Sequence, residues 1–124
     1  MPVVFAKNAH EFNMPNVTFT SRAAPSVGST INSVWQFRIA PRSAGTLHQL
    51  TREEIIVALS GHAIVTLGGE KMEIAKGDTI IVPAHVDFGL SNESDSAFEA
   101  MAILPVGAQA MIKGEPPFTP PWAL

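Results

Sequence analysis

From Ser33 onward the chain is written in short runs of Val, Ile, Phe and Thr, and Gly, Pro or Asn cuts them at intervals of about 8–12 residues. The runs are SVWQFRIA, GTLHQL, EIIVALS, HAIVTL, EKMEIA, DTIIVP, VDFGLS and AFEAMAILPV, with no helical stripe among them. Evenly spaced short strands predict an all-β sandwich or barrel. The sharpest local signal is HAIVTL-GG-EKMEIA, where Gly68-Gly69 supplies the positive φ angles of a two-residue hairpin turn. Pairing outward from that turn sets Val65 opposite Met72 and Ala63 opposite Ile74 on an inward face. Thr66 then opposes Lys71, and Ile64 opposes Glu73, on the outer face. His62 falls on that outer face, as a surface histidine. With 124 residues and 46% apolar content, the chain is long and greasy enough to bury one domain's core without staples.

The run Glu54-Ile55-Ile56-Val57-Ala58-Leu59 is apolar on both parities after its glutamate, and a strand with one solvated face does not tolerate that. A second sheet or another subunit must cover its outside, as for Thr79-Ile80-Ile81-Val82, and a homodimer is expected. The chain divides into an N-terminal arm or added edge strands over 1–32, a barrel core over 33–106, and a Pro-rich tail over 107–124. That tail, which includes GEPPFTPPWAL, is expected to lie over the barrel or a partner. Trp35 and Phe37 share one strand face and are expected to pack the core.

A formal net charge of −3 with no run of Lys or Arg argues against nucleic acid as a partner and in favour of a small organic ligand. No apolar stretch approaches the roughly 20 residues that cross a bilayer, and MPVVFAKNAHEF lacks the layout of a secretory signal. The expectation is a soluble cytoplasmic protein with no membrane partner. Cysteine is absent, so any metal must be held by nitrogen and oxygen. Ser43, Ser60 and Ser91 do not sit in a nucleophile elbow, and Gly68-Gly69 has no following helix to aim amides at a phosphate. Arg38, Arg42 and Arg52 are scattered as ordinary surface arginines are.

His48, then Glu54, then Gly61 resemble the first motif of the cupin superfamily, in which two histidines, a glutamate and a glycine recur in that order. The stretch Gly77-Asp78-Thr79-Ile80-Ile81-Val82-Pro83-Ala84-His85-Val86-Asp87-Phe88-Gly89-Leu90-Ser91-Asn92 resembles the second. The resemblance covers about Trp35 to Pro105. Gly61, Gly77, Asp78, Pro83 and Asn92 all match scaffold positions, with turn-forming glycines, a strand-ending proline and an asparagine able to tie down backbone. It implies a small single-domain cupin barrel, that is, a double-stranded β-helix or jelly roll.

In a typical metal-binding cupin, two histidines and a glutamate of the first motif, plus a histidine of the second, converge on one divalent ion. By the same resemblance His48 fills one slot here and Glu54 the carboxylate slot, while Leu50 and Phe88 stand where the other two histidines would be. Hydrocarbon in those slots favours an apolar ligand pocket formed by His48, Leu50, Glu54, Phe88 and Trp35, with no cofactor. His48 and Glu54 are then expected to hydrogen-bond to each other and to work as a catalytic acid–base pair. The alternative is a metal-dependent dioxygenase, isomerase or lyase holding iron, manganese, zinc or nickel through His48, Glu54 and a third ligand, His85. Three protein ligands are the usual minimum for such a centre.

Overall fold

A computed structural model describes residues 2–124. Its strands are β1 (Glu11–Met14), β2 (Val17–Ala23), β3 (Asn32–Ile39), β4 (Gln49–Leu50), β5 (Glu54–Ser60) and β6 (His62–Leu67). They continue as β7 (Glu70–Ala75), β8 (Thr79–Val82), β9 (Phe88–Ser91), β10 (Phe98–Pro105) and β11 (Ala110–Met111). All strand pairs are antiparallel. A six-stranded sheet runs β1-β2-β3-β10-β5-β8, a three-stranded sheet runs β7-β6-β9, and β4 pairs with β11. Among the described residues the helical content is three short 3-10 turns, and no helix there is long and apolar enough to cross a membrane.

Alternation decides which way each strand faces. On β3, Ser33, Trp35, Phe37 and Ile39 are buried while Asn32 and Arg38 are exposed. On β10, Phe98, Ala100, Ala102 and Leu104 are buried. These side chains join Ile56, Ala58, Ala63, Val65, Ile80 and Val82 in one core cluster between the sheets. The β6–β7 hairpin has the register read from the sequence, with Val65 opposite Met72 and Ala63 opposite Ile74. Gly68 and Gly69 turn it with φ of 58° and 87°. His62 is exposed, as expected.

Met72 departs from expectation: it is 45% exposed although it shares a face with buried Val65. The reason is its place on β7, an outer strand of the three-stranded sheet, where no further strand covers that side.

Two tight points hold the scaffold. Gly61, at φ +81°, lies where a Cβ would come within 2.3 Å of the Ala97 carbonyl oxygen, so the β5-to-β6 reversal requires glycine. Asn92 is fully buried; its amide donates to the carbonyls of Ile39, Ala40 and Ser96 at 3.2, 3.2 and 2.8 Å. Its Oδ1 accepts from the Ser94 N–H and hydroxyl at 3.0 and 2.7 Å.

At the two chain ends, the β1–β2 hairpin extends the large sheet beside β3. Within the C-terminal segment, Trp122 stacks on Phe19 of β2 with ring centroids 3.6 Å apart and planes at 1°. The Ser33 hydroxyl donates to the Ala123 carbonyl at 2.8 Å.

Candidate functional site

β5 opens with Glu54, which alternates with Ile56 and Ala58 on the strand's buried side, so its parity alone turns the carboxyl inward. Glu54 is 5% exposed and pairs in register with Val82 of β8, which is fully enclosed. Burial pushes the Glu54 pKa up from 4.5 to about 8, and no hydrogen bond or neighbouring cation offsets that desolvation. At neutral pH the group is therefore a carboxylic acid in hydrocarbon, able both to donate and to accept one hydrogen bond.

Leu50, Phe88 and Trp35 are buried members of the same core. Leu50 is fixed from outside, since its carbonyl accepts the His85 N–H at 2.8 Å. His48 is half-buried. Its backbone exchanges two 2.9 Å hydrogen bonds with Phe88, and its ring stands edge-on to the Phe88 ring, with centroids 5.3 Å apart. The His48 Nδ1 lies 3.0 Å from the Thr46 carbonyl oxygen. A carbonyl only accepts, so Nδ1 carries the proton and Nε2 is left as the acceptor.

Two expectations are corrected here. No hydrogen bond or ion pair joins His48 to Glu54, because the imidazole turns back to the carbonyl of its own segment and rests on Phe88. Nor do His48, Glu54 and His85 form a metal site: among the described residues, no group of three His, Asp or Glu side chains is placed to hold an ion. His85 is exposed, in a turn where its φ of 63° places it in the left-handed region, and its backbone is tied to Leu50. The residues present do not fit a mononuclear centre.

A cavity of about 310 Å³ lies between the chain ends, walled by Val4, His10, Phe12, Ser26, Pro121 and Leu124. Another of about 240 Å³ sits beside Leu47, Thr66, Lys71 and Leu90. Neither is lined by His48, Leu50, Glu54, Phe88 or Trp35. Val82 is a wall of the Glu54 environment that the sequence reading did not single out. The alternation in DTIIVP, with Ile80 and Val82 of one parity, was the signal for it.

The family model described as a cupin domain matches residues 35–104. An uncharacterised protein of Methanocaldococcus jannaschii is 39% identical over 56 residues, which are 44% of this chain and 45% of that protein. The match thus spans less than half of that relative's length. Among solved structures, the polyketide cyclase RemF from Streptomyces resistomycificus superposes with a TM-score of 0.80 at 16% identity, over 94% of this chain and 87% of that one. A salicylate 1,2-dioxygenase from Pseudoaminobacter salicylatoxidans, in complex with gentisate, gives a TM-score of 0.70 at 17% identity, over 82% of this chain and 30% of that one. A sugar phosphate isomerase from Silicibacter pomeroyi gives 0.68 at 15% identity, over 82% and 68%. Identities this low carry the fold alone.

Proposed function

The chain belongs to the cupin domain family, and from that premise we propose that its barrel binds a small organic molecule around Glu54, without a metal. The observation that carries this reading is one inward carboxyl, 5% exposed, whose pKa is raised to about 8 by burial with no opposing cause. Such a group destabilises a fold, and where a sequence is otherwise consistent with its structure, a broken local rule points to function. The matching solved structures include a cyclase, a dioxygenase and an isomerase, which supports a ligand-handling role at the level of the fold only.

A neutral carboxyl suits an uncharged, largely apolar ligand that carries a carbonyl or hydroxyl. Glu54 donates its O–H to that oxygen, and a pKa near neutrality lets it pass the proton and recover it. His48 takes a separate role, with Nε2 as an acceptor beside Phe88 rather than as the orienting partner of Glu54. A carboxylate ligand is disfavoured, since its charge has no cation to meet beside Glu54. The reading carries with it a cytoplasmic homodimer with no nucleic-acid or membrane partner.

The test is a thermal-shift screen of uncharged aromatic ketones and phenols beside the matching carboxylic acids, on the wild type and on Glu54→Leu. Neutral compounds are expected to stabilise the wild type and not the variant, with the acids inert. Carbon-13 NMR of the Glu54 carboxyl gives an independent readout, and titration in the ordinary carboxylate range overturns the reading.

A further inference from the structure

The inward face of the six-stranded sheet continues past the barrel. Phe12 pairs with Phe19, Phe19 with Phe37 and Ser21 with Trp35 across β1, β2 and β3, so Phe12 and Ser21 share the face on which Trp35 and Phe37 are buried. Over β2 the cover is the Pro121–Ala123 turn, whose Trp122 stacks on Phe19. Beside that turn lies the cavity of about 310 Å³. Its walls come from three segments: the N-terminal arm, the β1–β2 hairpin with the Pro25–Val27 turn after it, and the C-terminal segment. Every wall residue falls outside residues 35–104, the stretch matched by the family model, so the cavity is an addition to the barrel. The walls are tied together where the Ser21 N–H donates to the His10 carbonyl at 2.9 Å and the Ser26 N–H to the Leu124 carbonyl at 3.3 Å.

Two kinds of group line it. Phe12, Val27, Pro121 and Leu124 are hydrocarbon, Asn8, His10, Ser21 and Ser26 each bring a polar side chain, and no wall residue is Lys, Arg, Asp or Glu. None of those four polar side chains takes part in a hydrogen bond or ion pair within the described residues. Hydroxyls and amides both donate and accept, and a neutral imidazole does one at each nitrogen. We propose that this cavity is a second ligand site, for an uncharged ring compound whose polar edge both donates and accepts hydrogen bonds, as an aromatic amide does. The ring packs on the hydrocarbon wall, and the polar edge meets the four free side chains. A charged ligand is disfavoured, because no countercharge lines the space. Size agrees: at ~30 Å³ per water the space holds roughly ten water-sized groups, and it lies at the lower end of the ~300–1,000 Å³ typical of ligand pockets. The site is independent of Glu54, which lies on β5, three strand spacings or about 14 Å across the sheet from β2.

The test is a two-dimensional amide NMR titration of the full chain with benzamide, and with benzoate as its charged isostere. Benzamide is expected to shift amides within residues 4–12, 21–27 and 121–124, while benzoate leaves them unmoved. Ser26→Phe, a change at an exposed wall residue, fills the space and is expected to weaken benzamide at least about 10-fold with the circular dichroism unchanged. Ser21→Ala gives a second arm that adds no bulk: it removes one hydroxyl and is expected to weaken benzamide about 5-fold. Shifts confined to the surroundings of Leu50, Glu54 and Val82 overturn the second site and count for the ligand reading at Glu54. No shift up to the solubility limit of benzamide, or equal binding of benzoate, overturns it as well. So does a folded Ser26→Phe chain that binds benzamide as tightly as the wild type. The Glu54 reading is judged apart from this one, by the titration of its carboxyl and the Glu54→Leu screen.

Discussion

Two buried polar groups, Asn92 and Glu54, lie in the same small domain and are treated in opposite ways. Asn92 gives its amide protons to three carbonyls and takes two hydrogen bonds from Ser94, so the corner where Ser43 pairs with Asn92 is saturated. Glu54 gains no hydrogen bond or cation from its neighbours, and burial keeps its proton on at neutral pH. A saturated network specifies a fold, and an unsatisfied group weighs on it. The contrast places Asn92 in the scaffold and leaves Glu54 as the group on which the proposed ligand reading rests.

The largest expected effect comes from erasing the charge at Glu54. Its folded pKa of about 8 lies above the 4.5 of the unfolded chain, so as pH rises the unfolded state gives up its proton first. Stability is intact below pH 4.5 and is lost progressively up to about pH 8, by a total of about 5 kcal/mol. Glu54→Gln cannot ionise, and denaturant unfolding at several pH values is expected to show a flat profile that overtakes the wild type at the alkaline end. Equal pH slopes for the two proteins break the comparison.

At the other pole, Asn92→Ala is expected to destabilise by about 3 kcal/mol at every pH, because three carbonyls lose their donor in a closed site. The same unfolding series measures it, and a loss below about 1 kcal/mol means that water replaces the amide. Ser94→Ala removes one of the two donors to the Asn92 Oδ1 and is expected to lose about 1 kcal/mol. The smallest change belongs to His48→Gln, expected near 0.5 kcal/mol, because the imidazole's one hydrogen bond is to an exposed carbonyl. A His48 substitution that also removed the pH dependence credited to Glu54 would reunite the two residues as a pair.

How much of this was legible beforehand follows from what period-two alternation encodes. It fixed the β6–β7 register through Gly68-Gly69 and located His62 on the surface, while the inward slot of Glu54 came from the motif resemblance. Parity says which side of a sheet a residue takes, and no more. It missed exposed Met72, because exposure depends on whether another strand lies alongside β7. The motif resemblance paired His48 with Glu54, because the competing Thr46 carbonyl and Phe88 ring are met only once the chain has folded. The β1–β2 hairpin, with its weak pattern, turns at Pro15-Asn16, where Asn16 has a φ of 67°. A left-handed asparagine is a local solution that apolar periodicity does not register.

The stack of Trp122 on Phe19 has a practical consequence. The chain has two tryptophans and no tyrosine, and the rings of Trp35 and Trp122 are 6.5 Å apart. Intrinsic fluorescence therefore watches a single spot, where the C-terminal segment is fastened to β2 and β3. An emission trace that departs from circular dichroism during unfolding would time the peeling of that segment apart from the collapse of the barrel.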